Sequence, residues 1–311
     1  MGDNKRLEFR TTRPLKHILR EAHDAYLQRF VGFVRIFHPD LALAVFWREG
    51  ETRQPRSIQS VKYNPQRKED LLRSFRSFLS PTTAEYYSRL GETHKMGYLF
   101  YGPPGTGKSS MIVALASEFK LNIYLCNLKN QNLTEQSLGI LVGELPSNAL
   151  LVFEEFDCLF DKTRKGGISP VTLLELMDGI ATKTGQILIL TTNNRDKIEA
   201  RFLRSGRVND QLEFKLSSRQ EAAEIFLDIF SIEAKMRGEE QWAKPMAEGR
   251  RQAEKDAPDL RRLADGFSHT FPERTISHAD ITIYLLGRRG DPQGALRDAY
   301  SWVDANRKDK V

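Results

Sequence analysis

The chain contains Gly102-Pro103-Pro104-Gly105-Thr106-Gly107-Lys108-Ser109, which leaves the apolar stretch 97–101 (GYLFY) and runs into 111–116 (MIVALA). Three glycines between a strand-like and a helix-like run let the backbone fold so tightly that successive N–H groups point inward. The helix that follows presents its positive N-terminal end to whatever the loop surrounds. A loop of this kind cradles a polyphosphate, so Gly102 to Ser109, together with Ser110, are expected to bind a nucleoside triphosphate. Lys108 should reach the β- and γ-phosphates, and the Ser109 hydroxyl should ligate Mg²⁺. The competing interpretation is an ordinary strand–turn–helix connection.

Three further segments follow in an order that suits this loop. The apolar run 149–153 ends in Glu154-Glu155-Phe156-Asp157. Adjacent carboxylates at a strand end can divide two tasks, one holding Mg²⁺ and the next polarising an attacking water. Glu154 is assigned to the metal and Glu155 to the base; a solvated acidic turn is the plainer alternative. The run 187–190 (ILIL) then enters Thr191-Thr192-Asn193-Asn194, where the Asn193 amide could bond both the γ-phosphate and the water. Taken alone, that turn is a weak signal. Finally, 202–207 (FLRSGR) carries Arg204 and Arg207, guanidinium groups that a neighbouring subunit could supply to the transferring phosphoryl group, an effect worth about 10³- to 10⁵-fold in rate.

The 311 residues suffice for two domains, or for one domain with an appended lid. Strand patterns at 97–101, 121–126, 149–154 and 186–191 alternate with helical patterns at 109–118, 134–143 and 170–178. That alternation predicts an α/β fold with a parallel sheet covered on both faces. Beyond residue 216 the pattern is helical, with helices expected at 218–230, 278–287 and 293–304. Upstream, Leu71, Leu72, Phe75, Phe78 and Leu79 have helical spacing, 48–60 is the best linker candidate, and 14–29 is an amphipathic helix. Strands are expected at 31–37 and 42–47, with His38-Pro39-Asp40 turning between them.

Cys126 and Cys158 sit among apolar residues without metal-ligand spacing and are expected to be core fillers. The six histidines show no ligand spacing either. The net charge of +6 is spread along the chain apart from a local cluster at Arg250, Arg251, Lys255, Arg261 and Arg262. No aromatic platform accompanies these residues, so no nucleic acid is expected as a partner. No segment has the length and apolarity of a membrane span or the layout of a targeting signal.

The loop, the acidic strand, the Asn-ended strand and the Arg-x-x-Arg in this order, followed by helices, resemble an AAA ATPase. Within that superfamily the chain is most similar to the mitochondrial inner-membrane chaperone branch that inserts the folded Rieske iron–sulfur protein into respiratory complex III. The stretches carrying this likeness are 11–39, 78–87, 96–111, 173–180 (LLELMDGI), 189–209 and 277–303. The resemblance implies a P-loop NTPase core at 51–216, a helical lid at 217–311 and, at 1–50, the remnant of an N-terminal middle domain, truncated relative to that family. It also implies ATP and Mg²⁺ as cofactors, a ring of identical subunits with Arg204 and Arg207 acting in trans, a protein substrate, and mitochondrial inner-membrane association without an anchor in this chain. The pattern departs at Glu155, Ser205 and Asn209, where the family has Asp, Pro and Asp. Two rival readings stay open: a nucleotide switch that hydrolyses poorly, and an ATPase stimulated by nucleic acid.

Overall fold

The computed structural model describes residues 33–147, 149–161, 167–178, 185–240 and 259–308. The helix expected at 14–29 and most of the basic cluster at 250–262 lie outside these residues. Seven strands form one sheet in the order β2-β1-β4-β5-β6-β3-β7. Their ranges are β1 Val34–Asp40, β2 Phe46–Arg53, β3 Lys95–Tyr101, β4 Ile123–Asn127, β5 Leu150–Glu154, β6 Gln186–Thr192 and β7 Asp210–Glu213. All neighbours are parallel except β1 and β2.

Helices cover both faces, which is why the strands read as continuous apolar runs. On one face, Tyr98, Phe100, Val152 and Ile189 meet α1 (Pro65–Phe78) and α3 (Lys108–Phe119). On the other, Leu99, Leu151, Phe153 and Leu190 meet α4 (Glu135–Glu144) and α5 (Pro170–Asp178). The alternation of Tyr98, Leu99 and Phe100 between the two cores is the period-two signature of a strand. Leu99 and Phe100 are wholly buried, and each contributes about 1.5–3 kcal/mol to stability. The remaining helix of this part, α2 (Pro81–Leu90), buries none of its residues and ends at Gly91, in the left-handed conformation at φ 71°.

The first two strands correct the sequence expectation. His38, Pro39 and Asp40 belong to β1, and the turn falls at 41–45, where Asp40 Oδ1 accepts the Ala42 N–H at 3.1 Å. Pro39 is tolerated because β1 pairs with β4 only at Ile36 and Phe37, so its missing N–H interrupts no ladder on that side. β2 also runs to Arg53, into the stretch expected to be a linker. The hairpin is joined to the sheet through β4, and Trp47 Nε1 donates to Leu141 O at 2.8 Å, tying it to α4.

The last strand was not anticipated. β7 spans only Asp210–Glu213, and its charged termini hide an edge strand pairing with β3 over four residues. The link is fixed at its base by Asn209, whose Oδ1 accepts from Gly97 N at 2.8 Å and whose N–H donates to Gly97 O at 2.7 Å.

After residue 216 the described residues are mainly helical, as expected. The lid comprises α6 (Arg219–Glu240), α7 (259–268), α8 (His278–Leu286), α9 (Pro292–Arg297) and α10 (Ala299–Lys308). The single helix expected at 293–304 is broken at Asp298, whose N–H closes α9 and whose carbonyl accepts the Trp302 N–H of α10. Phe226, Phe267, Phe271 and Tyr284 form a separate aromatic core inside the lid. The chain is thus a mostly parallel α/β sheet followed by a helical unit.

Candidate functional site: a cleft between the sheet and the helical unit

The loop after β3 is shaped by contacts that exclude side chains. Gly102 has φ 138°, and a Cβ there would lie 2.0 Å from Phe214 O. Gly105 has φ 73°, and its Cβ would lie 2.7 Å from Ser277 Oγ. Only glycine fits positions that are both left-handed and this crowded. The second contact joins the two parts of the molecule, because Ala279 N, in the first turn of α8, donates to Gly105 O at 3.0 Å.

Lys108 opens α3 and turns back into the loop. Its Nζ donates to Gly102 O at 2.6 Å, to Pro103 O at 2.9 Å and to Asn193 Oδ1 at 2.8 Å. Burial pushes the ammonium down to about 8, against the opposing pull of Asp157. Thr106 Oγ1 donates to Pro103 O at 2.8 Å and stiffens the loop. One residue beyond Lys108, the Ser109 hydroxyl donates to Glu154 Oε1 at 3.3 Å.

The carboxyl ends of β4, β5 and β6 complete the floor. Glu155 follows β5 in the left-handed conformation, φ 55°, which costs a non-glycine residue on the order of 1–2 kcal/mol. Its N–H donates to Thr191 Oγ1 at 3.4 Å, and its Oε2 lies 2.6 Å from Lys129 Nζ. Asp157 accepts from Thr192 Oγ1 at 2.7 Å, locking the turn after β5 to the end of β6.

These groups line a cleft of about 590 Å³ between the sheet and the lid. That is within the usual size of a small-molecule site. Of the residues singled out in the sequence, Pro104 to Ser110, Glu154, Glu155 and Asn193 face it, while Gly102 and Pro103 contribute their carbonyls to Lys108.

Arg204 and Arg207 are not brought there. Arg204 is exposed, and Arg207 forms a two-pronged ion pair with Asp178 at the end of α5, with Nε on Oδ1 at 2.6 Å and Nη2 on Oδ2. Its remaining nitrogen donates to Arg201 O. The Asp178 carboxylate raises Arg207 further above its ordinary range and is itself lowered by it.

Sequence reasoning placed the rest of the pocket only as somewhere before the loop and in the lid. The structure supplies Arg56, Ser60, Val61 and Lys62 on one side. Ile225 of α6 and His278, Ala279, Thr282 and Ile283 of α8 form the other. Lys62 also reaches Asp228 at 2.7 Å and Glu224 at 3.6 Å on α6. His278 lies 3.4 Å from Glu221 Oε2. Burial raises Glu221, but His278, the Ser218 N–H and Arg274 outweigh it and hold the carboxyl at about 2. The signal missed was spacing: the residues come from positions 56–62 and 225–283, with no motif linking them.

The donor set suits a polyphosphate and a hard cation. Glycine-shaped backbone, the Lys108 ammonium and a helix N-terminus face the same space as the Ser109 hydroxyl and the Glu154 carboxylate. Magnesium is commonly held by one or two carboxylates with phosphate oxygens and water completing the shell.

Comparison with known proteins agrees with this geometry. Residues 98–216 match the model of the ATPase family associated with various cellular activities, AAA. The chain is 25% identical over 304 residues to the probable mitochondrial chaperone BCS1-A of Dictyostelium discoideum, covering 94% of this chain and 66% of that protein. It is 30% identical over 250 residues to the probable mitochondrial chaperone BCS1-B of the same organism, covering 69% and 54%. It is 28% identical over 299 residues to the mitochondrial chaperone BCS1 of Bos taurus, covering 92% and 64%. The chain therefore spans less than two-thirds of the length of these curated relatives.

Proposed function

From the premise that this chain carries an AAA ATPase domain and is homologous to the BCS1 mitochondrial chaperones, we propose that it binds Mg²⁺-ATP in the cleft and hydrolyses it as an oligomer. The observation that carries the reading is the position of Lys108, bonded at once to the loop and to Asn193 at the end of β6. One cation thereby links the loop proposed to cradle phosphate to the group proposed to sense the reaction.

In this reading, loop N–H groups and Lys108 hold the phosphates, and Ser109 with Glu154 hold the metal. When bound, Mg²⁺ neutralises charge on the β- and γ-phosphates. Glu155 takes a proton from the attacking water, and Asn193 orients that water. Val61, Ile225 and Ile283 offer the base and sugar apolar walls. Arg204 and Arg207 act on the site of a neighbouring copy; that neither lines the cleft of its own chain supports this assignment. The relatives are named mitochondrial chaperones, and we extend to this chain a mitochondrial setting and a protein substrate on which the hydrolysis energy is spent. Among the described residues no helix is long and apolar enough to cross a membrane.

The test is steady-state hydrolysis as a function of protein concentration. Specific activity should rise with concentration and collapse in Arg207→Ala and Arg204→Ala, while Glu155→Gln should bind ATP but not turn it over. Activity per subunit that stays constant on dilution and survives both arginine substitutions would exclude a shared site.

A further inference from the structure

Arg56 lines the cleft and has no place in the chemistry described so far. We propose that it is a specificity-determining residue whose guanidinium donates to the O6 and N7 acceptors of a 6-oxopurine, so that the cleft takes guanine and hypoxanthine nucleotides as well as adenine ones. The proposal rests on the reading of the cleft as a nucleoside-triphosphate site.

Three contacts set Arg56 at the end of the cleft away from the phosphate loop. Val61 adjoins the loop, its Cγ1 3.9 Å from where a Cβ on Gly107 would stand. Ser60, one residue back, accepts the Arg56 Nε–H on its Oγ at 3.1 Å. The Arg56 backbone N–H donates to Ser117 Oγ at 2.9 Å, and Ser117 lies about two and a half turns beyond Lys108 on α3, roughly 13 Å along the axis. A nucleotide whose phosphates sit at the first turn of α3 therefore extends its base toward Arg56.

The guanidinium has donors to spare. Arginine carries five N–H groups in a planar fork; Ser60 takes the one on Nε, and Nη1 and Nη2 have no acceptor among the described residues. The residue is exposed, so a ligand can reach it. Lys62, the other cation of this wall, is only 11% exposed and is committed to Asp228 and Glu224 of α6.

Guanine and hypoxanthine present O6 and N7 side by side, two acceptors that match the two N–H groups of the fork. Adenine keeps N7 but has the N6 amine, a donor, in place of O6, so it can take only one bond of the pair. The 2-amino group of guanine gains no partner, because the carboxylates lining the cleft, Glu154 and Glu155, stand at the end of β5 beside the phosphate loop. Guanine and hypoxanthine nucleotides should therefore bind alike. A bidentate pair discriminates between bases by about 1–3 kcal/mol, which at about 1.4 kcal/mol per tenfold is roughly 5- to 150-fold in Kd.

The experiment is calorimetric titration of the full chain and its Arg56→Leu and Arg56→Lys variants with ADP, GDP and IDP, which bind without turnover. The parent should bind all three, with GDP and IDP alike. Arg56→Leu should raise the Kd of GDP and IDP at least fivefold more than that of ADP, and Arg56→Lys, which keeps the charge but not the fork, should do the same. Retained ADP binding shows that the variants are folded. The proposal is overturned if the parent binds ADP but not GDP, if the three Kd values move by one common factor in Arg56→Leu, or if Arg56→Lys binds GDP as the parent does. A parent that binds none of the three overturns the nucleotide reading itself.

Discussion

The Lys108 ammonium and the Asn193 side-chain oxygen are 2.8 Å apart although 85 positions separate them in the chain. They meet because β3 and β6 are adjacent and in register up to Tyr101 and Thr192, so the residues leaving the two strands emerge side by side. Cutting this contact should separate binding from turnover. In Asn193→Ala, kcat is expected to fall by at least tenfold while the Kd for ATP changes by less than about threefold, because Lys108 keeps its charge and its loop partners. Lys108→Ala should instead weaken binding by roughly 10- to 100-fold, the loss of a charge-assisted hydrogen bond worth about 1.5–3 kcal/mol. Nucleotide titration and turnover measured on both variants check the split.

ATP affinity should itself depend on pH through Lys108. Burial sets this group at about 8 in the free protein, and a bound anion favours the protonated form. Affinity is therefore flat below about pH 7.5 and weakens as pH rises through 8, approaching tenfold per unit until the lysine of the complex itself deprotonates. Calorimetric titration between pH 7 and 9.5 would show it, and Lys108→Arg should remove the slope.

Gly105→Ala should uncouple the lid from the loop. Its methyl group would lie 2.7 Å from Ser277 Oγ and 3.1 Å from the Ala279 Cβ, in a left-handed conformation that alanine disfavours. The Ala279 N–H to Gly105 O bond is then the contact that yields. Binding is expected to weaken by tenfold or more, with little change in the melting temperature of the sheet domain, since the atoms nearest the added methyl belong to Ser277 and Ala279 of the lid and to neither sheet core. A loss of secondary structure by circular dichroism would contradict this.

Glu221 makes the lid acid-sensitive. Its folded value of about 2 lies below the ordinary 4.5, so the stability it contributes is fully present above about pH 4.5 and is lost as pH falls toward 2. The contribution is on the order of 2 kcal/mol, since the group is mostly shielded from solvent. Denaturation midpoints measured from pH 6 to pH 3 should fall in the parent and change less in Glu221→Gln, which starts from a lower value.

Most of the sheet was legible because its strands are buried on both faces and its helices on one, so apolar runs and helical spacing mark them directly. Strands β3 to β6 begin and end within two residues of where the pattern puts them. β7 was not legible: four residues with a charge at each end carry no periodicity, and the strand exists because β3 offers an edge and Asn209 clamps Gly97. The turn at His38-Pro39-Asp40 was misplaced because proline usually marks a turn, whereas here β1 has already left β4 by the time Pro39 is reached.

The sequence by itself determined where the glycine-rich loop, the acidic pair, Asn193 and the two arginines stand as candidates, since each is read from residue type and spacing within a short local run. Tertiary structure alone decided what surrounds them. The pairing of Lys129 with Glu155, of Arg207 with Asp178 and of Ala279 with Gly105, and the closure of the cleft by Val61, Ile225 and His278, all join positions tens to hundreds apart. Strand order and the docking of the lid create those neighbours, and neither is written in any local run of residues.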